Sequence, residues 1–143
     1  MTPVDRFALE THEGPYSSWP LRSRLFADGA PTPVRVPGYV LLRQFELPDG
    51  HYLLATDYDC PFEEATNFIL LGPDLKMLSH RSVGAMYSTF QLKHIAWHDA
   101  QHFTASFFGD MACDVAIRSR GVPYIRPRLG MSRVRRLGAP SPT

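Results

Sequence analysis

Between residues 38 and 119 the apolar side chains recur every second position, the repeat of a half-buried β-strand. Phe103, Ala105 and Phe107 alternate with Thr104 and Ser106. Cys113, Val115 and Ile117 alternate with Asp114, Ala116 and Arg118. Residues 39–47 are rich in aliphatic and aromatic side chains and run into Pro48-Asp49-Gly50. Proline presets φ, aspartate caps the turn and glycine accepts a positive φ, so residues 51–56 read as the return strand of a hairpin. The apolar run over 66–71 turns at Gly72-Pro73-Asp74 into a second return strand over 75–80. Residues 86–97 form a longer run whose phase shifts from Phe90 and Leu92 to Ile95 and Trp97, which predicts a β-bulge near Lys93-His94. Polar turns over 98–101 and 108–111 complete the series.

Connections this short force antiparallel neighbours, and the segment therefore predicts about seven strands in a meander. Such a meander buries its faces and edges only by folding over or closing. The fold class is mainly β with little helix: a single antiparallel β-sandwich or a partly open barrel. Phe45, Leu54, Ile69, Leu71, Leu92, Phe103, Phe107, Val115 and Ile117 are the expected core. Residues 61–65, with a proline and two glutamates, suit the first turn of a short helix.

The first 37 residues are poorly patterned. Pro3, Pro15, Pro20, Pro31, Pro33 and Pro37 break a long helix and interrupt strands. Tyr16, Trp19, Leu21, Leu25 and Phe26 are too apolar to dangle, and a short strand fits residues 6–10. The segment is expected to be an ordered, proline-rich wrap over the core of one domain spanning residues 1–137. Residues 138–143 are expected to be a disordered tail.

At 143 residues the chain fits one domain. Its longest apolar run, Phe68-Ile69-Leu70-Leu71, is strand-sized and far short of a membrane span. The N-terminus lacks a charged-then-apolar leader, so a cytoplasmic protein with no membrane partner is expected. Cys60 and Cys113 make no disulfide framework and read as two buried thiols. Net charge is +1 but unevenly placed. After Asp114 there is no acid, while Arg118, Arg120, Arg126, Arg128, Arg133, Arg135 and Arg136 follow.

Three places could carry chemistry. His98-Asp99-x-x-His102 comes nearest to a metal pattern, because two histidines four apart can share an ion. Here they flank a hairpin turn; His94 has the same parity as His98, but the expected bulge between them separates their faces, so a third ligand is not apparent and no metal or other cofactor is expected. Asp57, Asp59, Glu63 and Glu64 crowd the connection around Cys60. A calcium loop needs more alternating ligands and a central glycine. The local negative charge raises rather than lowers a thiol pKa, which removes Cys60 as a nucleophile. An acidic recognition surface remains. Arg126 and Arg128, interleaved with Tyr124 and Ile125, form its basic counterpart. No RNA-recognition, KH or helix-turn-helix signature, glycine-rich phosphate cradle or nucleophile elbow is present.

These observations favour a non-catalytic protein-binding module, of the inhibitor, immunity-type or accessory-subunit kind. It would use opposed acidic and basic regions (Asp57, Asp59, Glu63, Glu64; Arg126, Arg128) toward another protein or toward its own copy in a homo-oligomer. The alternatives are a small metal-dependent enzyme centred on His98, Asp99 and His102, and an accessory nucleic-acid binder using its arginine-rich end.

Overall fold

A computed structural model describes residues 1–58, 65–84, 91–118 and 128–136. In chain order the strands are β1 (Thr2–Pro3), β2 (Phe7–Leu9), β3 (Arg22–Ala27), β4 (Ala30–Pro37), β5 (Val40–Glu46), β6 (Tyr52–Asp57), β7 (Thr66–Leu71), β8 (Met77–Val83), β9 (Leu92–Asp99), β10 (His102–Phe107), β11 (Met111–Ile117), β12 (Leu129–Met131) and β13 (Arg135–Arg136). One 3-10 turn, Tyr16–Ser18, is the only helical element among the described residues, and no helix there is long and apolar enough to cross a membrane.

The strands form three antiparallel sheets. The central one has the order β1-β5-β6-β7-β8, the N-terminal one β2-β3-β4, and the C-terminal one β12-β11-β10-β9 with β13 also on β11. None closes into a barrel, so the layered alternative is the one the chain adopts. The sandwich has a third layer. Every residue of β6 and β7 is buried, because both faces of the central sheet are covered. Leu53, Ala55, Phe68 and Leu70 pack with Phe103, Phe107 and Val115 of the C-terminal sheet. Tyr52, Leu54, Ile69 and Leu71 pack with Phe7, Leu25 and Val36 of the N-terminal sheet. The run Phe68-Ile69-Leu70-Leu71 is therefore unbroken because its alternate residues enter two different cores.

The seven strands β5 to β11 are those read from residues 38–119, but they form two meanders, β5 to β8 in the central sheet and β9 to β11 in the C-terminal one. Gly50 takes φ 87° at the tip of the first hairpin, where its N–H donates to the Leu47 carbonyl. In the second, Gly72 N–H bonds Lys76 O across the turn and Leu75 carries the positive φ. Between β9 and β10 the register slips twice, once past Lys93, as the phase shift predicts, and once past His98. Eight of the nine expected core residues are buried; Phe45 is half-buried against Trp97.

The N-terminal segment is more regular than its prolines suggest. Pro31 and Pro37 sit in β4, an edge strand of its sheet, where a missing N–H costs no ladder bond on the open side. The expected helical turn at 61–65 (all but Ala65), the start of the strand at 86–90 and the tail at 138–143 lie outside the described residues.

Candidate functional site

Gly38 connects β4 to β5 with φ 110°, a conformation L-residues rarely adopt. It turns the chain so that Tyr39 stands at the end of the central sheet, its N–H donating to the Asp57 carbonyl at 2.7 Å. Four rings surround Tyr39 edge-on: His12 at 5.2 Å, Trp19 at 5.2 Å, Tyr16 at 5.6 Å and Tyr58 at 5.1 Å between centroids. Trp19 also meets Tyr16 at 5.1 Å and His12 at 5.2 Å. Edge-to-face contact is the arrangement that ring quadrupoles favour.

The cluster is pinned by hydrogen bonds. Tyr16 donates its hydroxyl to the Tyr58 carbonyl, and the Trp19 indole N–H points at the Glu13 and Gly14 carbonyls. Ser23 Oγ donates to Gly38 O at 2.6 Å, so the 2.8 Å contact with His12 Nε2 is a donation from the imidazole. Burial, helped by nearby Tyr39, pushes the Tyr58 hydroxyl above its ordinary pKa, so it stays protonated and neutral. In the segment that carries the rings Tyr16 is 45% exposed and Leu21 75%, and Pro15 and Pro20 are exposed beside the polar Glu13, Ser17, Ser18 and Arg22.

Of the acidic residues, Asp57 does not reach this surface. It ends β6 between β5 and β7 and is buried, which corrects the expectation that its carboxylate is displayed. Asp59, Glu63 and Glu64 follow Tyr58 in the sequence and lie outside the described residues, as do Cys60 and Arg126. Arg128 is half-buried and its carbonyl accepts the Arg118 N–H. Arg135 is bound to Asp114 of the same chain at 2.7 Å, so part of the basic end is satisfied internally.

The metal alternative is not assembled. His98 Nε2 is 2.6 Å from Thr104 Oγ1, while His102 Nδ1 turns to Asp99 at 2.9 Å. The Gln101 N–H and the His102 ring together hold the Asp99 carboxyl below its usual pKa. Among the described residues no group of three or more His, Cys, Asp or Glu side chains is placed to hold an ion. Cys113 is buried in the core, and desolvation with Asp114 nearby pushes its thiol up to about 11, which leaves it without nucleophilic character.

Sequence reasoning named Tyr16 and Trp19 as apolar residues of an ordered wrap and missed His12, Tyr39 and Tyr58 as their partners. Comparison with family models, with curated proteins and with solved structures finds no match.

Proposed function

We propose that this chain is a non-catalytic binding module that recognises another protein through the ring cluster about Tyr39 and the carboxylates Asp59, Glu63 and Glu64 that follow Tyr58. The observation that carries the reading is the cluster itself: five rings fixed edge-on and by hydrogen bonds, with Tyr16 and Leu21 turned to solvent. Tyrosine and tryptophan dominate binding energy at protein interfaces. Rings already held in place lose little entropy when a partner arrives. The acidic residues would add attraction for a basic face and speed association. Such a module acts as an inhibitor, an immunity-type partner or an accessory subunit, in the cytoplasm, and a second copy of the chain is the other partner the surface fits.

The test replaces Leu21 with a photo-crosslinking residue, captures the partner in cells of the native organism, and measures its affinity for purified variants. Tyr16→Ala and Leu21→Ser should each leave folding intact, and Tyr16→Ala should weaken binding by about 2 kcal/mol, the scale of an interface anchor. Glu63→Lys with Glu64→Lys should weaken it most at low salt. A partner whose affinity ignores all four positions would overturn the reading.

A further inference from the structure

Where β1 leaves β5, the gap between the edges of the central and C-terminal sheets opens into a groove of about 440 Å³. β1 pairs with β5 at Phe45 and Glu46, and the Val4 N–H reaches the Gln44 carbonyl. From there the groove runs beside Leu42 and Arg43 of β5 to His94 and Ile95 of β9. Its floor is hydrocarbon: Val4, Leu42 and Phe45 are half-buried and Ile95 is buried. The Gln44 amide is committed to β2, where its Oε1 accepts the Arg6 and Phe7 N–H groups and its Nε2 donates to Phe7 O.

Both strands carry a bulge where they border the groove. Leu42 is the extra residue of β5 against β6, and Lys93 that of β9 against β10. A bulged residue is left out of the ladder, and one guanidinium takes the carbonyls of both. Arg43 Nη1 donates to Leu42 O at 2.9 Å and Nη2 to Lys93 O at 3.4 Å. This clamp fixes where the positive charge sits without neutralising it, because both acceptors are uncharged. It uses two of the five guanidinium N–H donors. Arg43 is exposed at the mouth of the groove, and so is His94, which has no hydrogen bond or ion pair among the described residues. No carboxylate stands among the described residues that line the groove, and Arg43 has no ion pair among them. The volume is that of a small-molecule site, an apolar floor with a few polar groups at one end.

We propose that this groove binds a small carboxylate with an apolar body, the carboxylate on Arg43 beside His94 and the body over Val4, Leu42, Phe45 and Ile95. A planar guanidinium suits the two oxygens of a carboxylate. A bare anion would leave the floor wet, and a neutral apolar molecule would leave the guanidinium to water, so the site selects for both halves together. It shares no residue with the ring cluster and does not rest on the protein-binding function.

The experiment is a titration of the full chain, followed by amide NMR shifts, with phenylacetate, neutral phenylethanol and acetate as probes. Phenylacetate should give saturable shifts centred on residues 41–45 and 93–95. The indole signal of Trp97, whose ring meets that of Phe45 at 5.4 Å, should move with them. Phenylethanol and acetate should each bind at least roughly tenfold more weakly, the equivalent of one charged hydrogen bond. Arg43→Gln removes the charge and should weaken phenylacetate by a similar factor while leaving phenylethanol unchanged. His94→Glu, at an exposed position, sets a like charge beside the carboxylate; it should do the same, and serves if Arg43→Gln fails to fold. The proposal is overturned if phenylacetate does not saturate, if either control probe binds as tightly, if both variants bind as the parent does, or if the shifts centre on Arg133 and Arg136.

Discussion

Gly38→Ala tests the geometry on which the ring cluster depends. The new methyl would sit 2.6 Å from Thr56 Cβ and 3.2 Å from the Asp57 carbonyl oxygen. Carbon–carbon contacts settle at about 3.5–4.0 Å, so the overlap is on the order of 1 Å. Thr56 cannot retreat. It is fully buried, donates to Pro37 O at 2.7 Å and accepts from Asn67 Nδ2 at 3.3 Å. The φ of 110° adds strain for any L-residue, about 1–3 kcal/mol. If the 37–39 backbone shifts instead, it gives up the Ser23–Gly38 and Tyr39–Asp57 hydrogen bonds, at about 1 kcal/mol each. The expected destabilisation is therefore about 3–5 kcal/mol, a large part of the stability of a domain this size. Urea unfolding followed by far-UV circular dichroism measures it, and near-UV dichroism should report loss of the fixed aromatic environment. Gly29→Ala is the control. It has φ 80° but nothing within 4 Å of the added Cβ, so it carries backbone strain without overlap. Equal costs for the two variants, or a loss under about 1 kcal/mol at Gly38, would refute the packing argument.

Three further outcomes follow from the core and the charges. Phe68→Ala should cost about 3–5 kcal/mol in urea unfolding, since Phe68 is fully buried and meets Phe103 at 5.5 Å; Phe45→Ala, at a half-buried site, should cost clearly less. In a Cys60→Ser background, Cys113 should resist a thiol reagent at neutral to mildly alkaline pH until the protein is unfolded, because burial raises its pKa to about 11; rapid labelling of native protein would contradict this. Thr104 and Arg135 lower the Asp114 pKa, while the Arg24 N–H, more than the Arg35 charge, lowers that of Glu10. Their stabilisation is present above the ordinary carboxyl value of about 4 and lost as pH falls through the depressed folded values. Asp114→Asn should flatten that acid limb by less than about 1 kcal/mol because the pair is solvent-exposed, and an unchanged limb would remove Asp114 from the account.

The parts of the fold legible in the sequence are those written in local chemistry. Pro48-Asp49-Gly50 and Gly72-Pro73-Asp74 specify turns by their own φ preferences, and the structure turns there. The bulge past Lys93 was visible as a change of phase within one apolar run, whereas the one past His98 fell where polar residues carry no phase to read. The N-terminal sheet was hidden for two reasons. Prolines that argue against a central strand are tolerated at the edge position of β4, and β3 buries Ser23 and Ala27 beside Leu25 while Phe26 lies on its other face, so residue polarity does not mark its inward side. Asp57 was misplaced because a carboxylate in a run of acids looks exposed, although the ladder continues through it. The rings around Tyr39 come from residues 12, 16, 19 and 58, and the open cleft lined by His98, His102, Asp114 and Gly130 joins β9 to β12. Neither is a spacing, so only the register between strands could reveal them.

The residues that hold the ring cluster in place from beneath are polar. β7 begins Thr66-Asn67 before its apolar run, and both residues are buried. Buried polar groups persist only where they are paired, and these are threaded across the sheets. Ser82 Oγ of β8 donates to Asn67 Oδ1 at 2.6 Å, Asn67 Nδ2 to Thr56 Oγ1 of β6, and Thr56 in turn to the Pro37 carbonyl beside Gly38. From the other side, His12 and Ser23 close on the Gly38 carbonyl. Apolar packing alone is tolerant of small displacements, and edge-to-face rings are weakly directional; directional hydrogen bonds in a dry interior are not. The ladder therefore fixes where the β4–β5 corner lies, the corner fixes Tyr39, and Tyr39 fixes the four rings set against it. A ring cluster set on the connections between strands gains its rigidity here from polar residues at the end of a strand whose remaining positions are given wholly to the core.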